Sequence, residues 1–103
     1  MSLTQDQKKR FKQIGHHLKP VVMVAGNGLS EGVVSETERA LHDHELIKVR
    51  FSITEREPRL ELMNALCQQV NADLVQIIGK LALIYRVNRK ANPKLSNVKR
   101  FAE

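Results

Sequence analysis

Leu3, Gln7, Phe11, Ile14 and Leu18 recur at helical spacing, and Lys8, Lys9, Arg10 and Lys12 fill the positions between them. The pattern predicts an amphipathic first helix over residues 4–17, ended by Pro20. Val21-Val22-Met23-Val24 is a continuous apolar run bounded by Pro20 and by the glycines at 26 and 28, as for a strand buried on both faces. Ser30 suits an N-cap with Glu31 in the first turn, and Val33, Thr37, Ala40 and Leu41 supply the inward stripe of a second helix ending near His42 to His44. Residues 46–53 then alternate. Ile47, Val49, Phe51 and Ile53 share a buried face, and Lys48, Arg50 and Ser52 share a wet, basic one. Pro58 fits the first turn of a third helix, whose stripe is Leu60, Met63, Leu66, Cys67 and Val70.

Two further strands, 74–78 and 81–87, meet at Gly79-Lys80, where glycine supplies the positive φ of a tight hairpin. The order is αβαβαββ, an α/β (α+β) domain of three helices and four strands. Strands separated by helices pair in parallel and the closing hairpin is antiparallel, so the sheet is mixed. In the last strand Leu81, Leu83, Tyr85 and Val87 lie on one face, with Ala82, Ile84 and Arg86 on the other, which places it in the sheet interior with the first helix over part of one face. Residues 88–103 are charged and without period. They are expected to form a flexible basic tail on a single domain spanning residues 1–87.

With 103 residues, 42% hydrophobic and 27% charged, the chain suits one domain that buries about 65% of its unfolded surface without staples. One cysteine excludes an internal disulfide and a zinc knuckle, and a reducing, cytoplasmic setting is the simplest compartment. The first ten residues lack the apolar core of a secretion signal, and no apolar run approaches the roughly 18 residues of a membrane helix, so a soluble, unexported protein is expected. The net charge of +6 is unevenly spread. Residues 1–20 carry five basic side chains against Asp6, residues 21–75 five against nine acids, and residues 76–103 seven against Glu103. Two basic ends around an acidic middle make a dipolar surface whose positive side suits a polyanion.

The loop at residues 25–32, Ala-Gly-Asn-Gly-Leu-Ser-Glu-Gly, lies between a strand and a helix, where backbone N–H groups favour anions. It lacks the Gly-Lys-Ser/Thr of a phosphate-binding P-loop, and its glycines miss the G-x-G-x-x-G spacing by one position. Its small residues allow close approach to a nucleic-acid backbone; an ordinary strand-to-helix turn needs glycine equally. His16-His17 and His42-Asp43-His44 are spaced wrongly for two ligands on one helix face, so no metal site is expected. Cys67 falls on a core stripe with no activating neighbour, and the carboxylates Glu36, Glu38, Glu55, Glu57 and Glu61 have basic neighbours on helix faces. No catalytic residue, enzyme activity, cofactor or small-molecule substrate is expected. Aromatic residues are limited to Phe11, Phe51, Tyr85 and Phe101, which argues against an exposed base-stacking sheet; if nucleic acid binds, backbone and phosphate contacts and the shape of a folded RNA must dominate.

Leu18-Lys19-Pro20-Val21-Val22, Gly26-Asn27-Gly28-Leu29-Ser30-Glu31-Gly32, His44-Glu45-Leu46-Ile47-Lys48-Val49, Ile78-Gly79-Lys80 and Tyr85-Arg86 stand together in an order and spacing that resembles the YhbY family, small bacterial RNA-binding proteins consisting of a single CRM domain. The resemblance runs from about residue 3 to residue 87. It implies a fold akin to the C-terminal domain of bacterial translation initiation factor 3, binding of structured RNA, and association with precursors of the large ribosomal subunit. The family's G-x-x-G loop maps onto Ala25, Gly26, Asn27 and Gly28, with Ala where the first Gly is usual. If position 25 needs a positive φ, alanine there costs about 1 kcal/mol; if it is simply the last residue of the strand, nothing is lost.

The expected function is therefore non-enzymatic binding of ribosomal RNA in large-subunit assembly. Ala25, Gly26, Asn27 and Gly28 would approach the backbone, Lys19, Lys48, Lys80 and Arg86 would neutralise it, and Lys8, Lys12, Arg50, Arg89 and Lys90 would add contacts. The alternative is a protein-interaction adaptor with a basic tail and no preference for RNA. No membrane partner is expected, and nothing in the pattern demands more than a monomer.

Overall fold

A computed structural model of the chain describes residues 3–100. Thr4 opens the first helix, α1 (Gln5–Gly15), with a reciprocal cap: its hydroxyl accepts from the Gln7 N–H at 3.1 Å and its own N–H donates to Gln7 Oε1 at 2.9 Å. After β1 (Pro20–Val24), the Ser30 hydroxyl accepts from the Val33 N–H at 3.2 Å and starts α2 (Glu31–His44). Then follow β2 (Leu46–Phe51), α3 (Arg56–Val70), β3 (Asp73–Ile78) and β4 (Leu81–Tyr85). Asn71 ends α3 in the left-handed conformation that asparagine tolerates. The expected αβαβαββ order is present, followed by a short α4 (Asn97–Arg100).

The sheet is mixed, with strand order β1-β2-β4-β3. β1 runs parallel to β2, whereas β4 is antiparallel to both β2 and β3. β4 is interior, as its apolar run Ala82-Leu83-Ile84 requires. One face of the sheet carries Val22, Val24, Ile47, Val49, Phe51, Ala82 and Ile84, and packs against Leu41 of α2 and Met63, Leu66, Cys67 and Val70 of α3. On the other face Phe11 and Ile14 of α1 cover Leu46, Val75 and Leu83. Gly15 lets the end of α1 settle on the sheet, because a Cβ there would lie 2.7 Å from Leu83 Cδ2.

Two expectations need correction. β1 is buried on one face only: Val22 and Val24 point inward, while Val21 is 48% and Met23 59% exposed. It is an edge strand that α1 does not reach, and an apolar run cannot reveal which of its faces lacks a cover. The domain also continues beyond residue 87. Ala91, Ser96 and Asn97 are buried, and the segment closes over Glu45, whose φ is +60° and whose carboxylate is enclosed. Glu45 accepts from the Asn88 N–H and the Ser96 hydroxyl, both at 2.7 Å, while Asn97 Nδ2 donates to the Leu46 carbonyl at 2.7 Å. The Lys99 ammonium adds an ion pair with Glu45 at 4.0 Å. Polar side chains that satisfy buried groups one by one have no period, which is why this packing left no mark on the pattern. Residues 101–103, part of the expected tail and including Phe101, lie outside the described residues.

Candidate nucleic-acid interface

Strand directions gather three connections at one end of the sheet. β1 and β2 are parallel and both leave there, and the β3–β4 hairpin turns there. The Ser52 N–H donates to the Val24 carbonyl at 2.8 Å and the Phe51 N–H to the Lys80 carbonyl at 2.7 Å, which ties the exit of β1 to the hairpin across β2. The loop begins with a tight turn in which the Gly28 N–H donates to the Ala25 carbonyl at 2.9 Å. Gly28 has φ +69°, whereas Ala25 is outside the left-handed region. The alanine therefore costs the loop nothing: the position that needs glycine is 28, the last of the four. Ala25, Gly26 and Asn27 are exposed, and a Cβ added at Gly26 would meet nothing within 4 Å. The bend is open to a ligand.

Beside it lies the half of the sheet that α1 leaves bare. The strand registers pair Met23 with Arg50, Arg50 with Leu81 and Leu81 with Ile78, so these four form one row across the whole sheet on the α1 side. Lys48 borders the row and donates from Nζ to the Leu18 carbonyl at 3.1 Å, closing the chain just after α1. Arg10 donates to the Val98 carbonyl at 3.3 Å and so marks the flank of α1 that faces α4. Lys8 and Lys12 are each two residues away, about 200° around the helix, and line the opposite flank, toward the bare half. The strands contribute one acid, Asp73, at the far end of β3. The side chains of Lys12, Arg50 and Lys80 make no hydrogen bond or ion pair with the described residues. Exposed Lys19 precedes β1, about 20 Å along that strand from the glycine bend and so at the opposite end of it.

Three expected contacts are not brought to this surface. Arg86 follows β4 at the opposite end of the sheet and turns to the helix side. It donates to Glu38 Oε2 at 3.2 Å, to the Glu38 carbonyl at 3.3 Å and to the Val70 carbonyl at 3.0 Å. It thereby satisfies a carbonyl at the end of α3 that has no helical partner. Arg89 and Lys90 lie at that same end, because Asn88 is anchored there by bonds to the His42 carbonyl and to Glu45. Two arginines were overlooked in the sequence. Arg56 and Arg59 begin α3 at the loop end and, with Leu60, Ile77 and Gly79, line a cleft of about 390 Å³. Arg59 Nη1 donates to the Ile53 and Thr54 carbonyls at 2.9 and 3.1 Å, and its buried Nε has no partner among the described residues. The Arg-x-x-Arg spacing at the start of a helix was the available signal.

The expected dipole has a structural layout. Glu31, Glu36, Glu38 and Asp43 on α2 and Glu57 and Glu61 on α3 make the helix layer acidic, against Arg39, Arg56 and Arg59. Arg50 and Lys12, without partners among the described residues, lie on the other side of the sheet. Cys67 is enclosed, and burial, followed by the charge of Asp73, pushes its thiol up to about 11, so it offers no thiolate at neutral pH. Among the described residues no group of three His, Cys, Asp or Glu side chains is placed to hold a metal, and no helix is long and apolar enough to cross a membrane.

Residues 3–86 match the model of the CRS1/YhbY (CRM) domain. A Pseudomonas aeruginosa protein described as a probable RNA-binding protein is 63% identical over 99% of this chain and 98% of its own length. A Haemophilus influenzae protein named as an RNA-binding protein is 44% identical over 91% of this chain and 95% of its own. Among solved structures, that of a hypothetical protein from Staphylococcus aureus superimposes with a TM-score of 0.76 at 27% identity, covering 88% of this chain and 95% of that one.

Proposed function

This chain belongs to the CRS1/YhbY (CRM) domain family, and on that premise we propose that it binds structured RNA, without catalysis, in precursors of the large ribosomal subunit. The reading rests on one observation: cations without partners among the described residues, Lys12, Arg50 and Lys80, share a surface with an open glycine bend, on the side of the sheet away from the acidic helices. The description of the Pseudomonas aeruginosa relative as a probable RNA-binding protein and of the Haemophilus influenzae relative as an RNA-binding protein supports it. Lys80 and Arg50 replace condensed counterions along the phosphates, and the bend admits the backbone where a Cβ would otherwise stand. Lys48, Lys8 and Lys19 extend the positive border. The acidic layer repels the polyanion from the opposite side and fixes which face docks.

Titration of ribosomal RNA fragments at several salt concentrations tests the contact mode. Neutralising about five phosphates gives a log affinity that falls with log salt at a slope of roughly −4 to −5, or somewhat less for single strands. A flat response overturns the reading, and equal affinity for heparin favours the adaptor alternative. Sedimentation of cell extracts tests the setting, with co-migration with immature large subunits expected and absence from them counting against assembly.

A further inference from the structure

We propose that the uncovered row Met23, Arg50, Leu81 and Ile78 seats unpaired nucleotides, so that the RNA selected by this protein is a folded one carrying an exposed single-stranded segment. The inference rests on the RNA-binding reading and narrows it. Met23 is 59% and Ile78 48% exposed, Leu81 lies half-buried between them, and Val21 beside Met23 is 48% exposed. Single exposed apolar side chains are ordinary, but these are contiguous, because the strand registers place them side by side. Adjacent strands lie about 4.8 Å apart, so the row spans about 14 Å, room for two or three bases.

Charge complementarity identifies the occupant. Arg50 interrupts the row, Lys80 and the glycine bend close one side, and Lys12 on α1 borders the other. An A-form duplex presents phosphates and 2′-hydroxyls and keeps its base faces stacked inside, so laying one on Met23 and Ile78 would desolvate apolar groups against charge for no return. Unstacked bases present flat apolar faces to Met23 and Ile78 while their phosphates reach Lys80 and Lys12. Arg50 is placed to stack on a base through its guanidinium plane. The scarcity of aromatic residues does not bar this use of the sheet, since methionine and isoleucine supply apolar contact without a ring and with little discrimination among the four bases.

The test uses the full-length protein and two RNAs with equal numbers of phosphates at one salt concentration, a hairpin with a single-stranded extension and a fully paired duplex. The parent should bind the extended hairpin at least about tenfold more tightly. Met23→Ser combined with Ile78→Ser, both at exposed positions, should keep the parent melting temperature, abolish that preference and leave duplex affinity unchanged. Lys80→Ala should weaken both RNAs alike. Equal binding of the two RNAs by the parent, or a preference that survives the double substitution, overturns the proposal. A double variant that loses self-association while keeping its RNA preference would make the row a contact between copies, and the proposal would fall. A parent that binds neither RNA refutes the broader function as well, an outcome distinct from loss of the preference alone.

Discussion

Lys80 and Arg86 bracket the same strand, β4, and in the linear chain they look like equivalent basic residues. Lys80 precedes the strand at the end where the glycine loop opens, and its ammonium has no partner among the described residues. Arg86 follows it at the other end, and its guanidinium bonds to Glu38 and to the Val70 carbonyl. The difference arises from what each end of the sheet must satisfy. At the Arg86 end α3 stops and the final segment folds in, leaving carbonyls and the Glu45 carboxylate that require donors. At the Lys80 end α2 and α3 begin and their exposed groups are N–H donors; Arg59 there takes the Ile53 and Thr54 carbonyls, and Lys80 is left with no acceptor among the described residues. The charge of Arg86 is consumed by the fold, whereas that of Lys80 remains available to a partner.

The sharpest way to break this comparison is to remove charge from the open end alone. Replacing Lys12, Arg50 and Lys80 together with alanine should lower RNA affinity about 100-fold near physiological salt and flatten the salt slope by roughly 2 to 3, with stability within about 0.5 kcal/mol of the parent. Filter binding and urea denaturation check the two halves. Ending the chain after Val87 attacks the opposite end. It strips the cover from Glu45 and Leu46 and should cost about 2–3 kcal/mol, read as a lower denaturation midpoint.

Arg86→Ala should cost about 1.5–2 kcal/mol of stability, because it strands the Val70 carbonyl, while its RNA affinity and salt slope stay those of the parent. A slope that flattens instead would return Arg86 to the interface. Smallest is Ala25→Gly, which restores the usual family residue. Because position 25 lies outside the left-handed region, the change should leave RNA affinity unaltered and cost only a few tenths of a kcal/mol, through the greater freedom of the unfolded chain. Gly28→Ala, at φ +69°, should cost about 1 kcal/mol, and the pair of thermal melts locates the turn's one demanding position.

Much of the architecture was legible because it depends on neighbours a few residues apart. The alternation of Ile47, Val49 and Phe51 placed β2 and its inward face, the stripe from Met63 to Val70 placed the buried side of α3, and Ser30 marked the start of α2. The glycine bend and Lys80 were also visible, since a loop between strand and helix and a two-residue hairpin are local signals. Arg86, the exposed side of β1 and the packing of residues 88–99 were not, because each depends on which element lies alongside.

What the sequence determined by itself was the set of elements, their order, and the presence of two basic ends around an acidic middle. Only the tertiary structure decided which strand stood at the edge, how far α1 reached across the sheet, and which cations met carbonyls or carboxylates of the protein's own backbone and side chains. Periodicity is written by contacts within a turn or a strand. The availability of a charge is set by contacts between residues as distant in the chain as Glu38 and Arg86 or Glu45 and Ser96, and no local pattern carries that information.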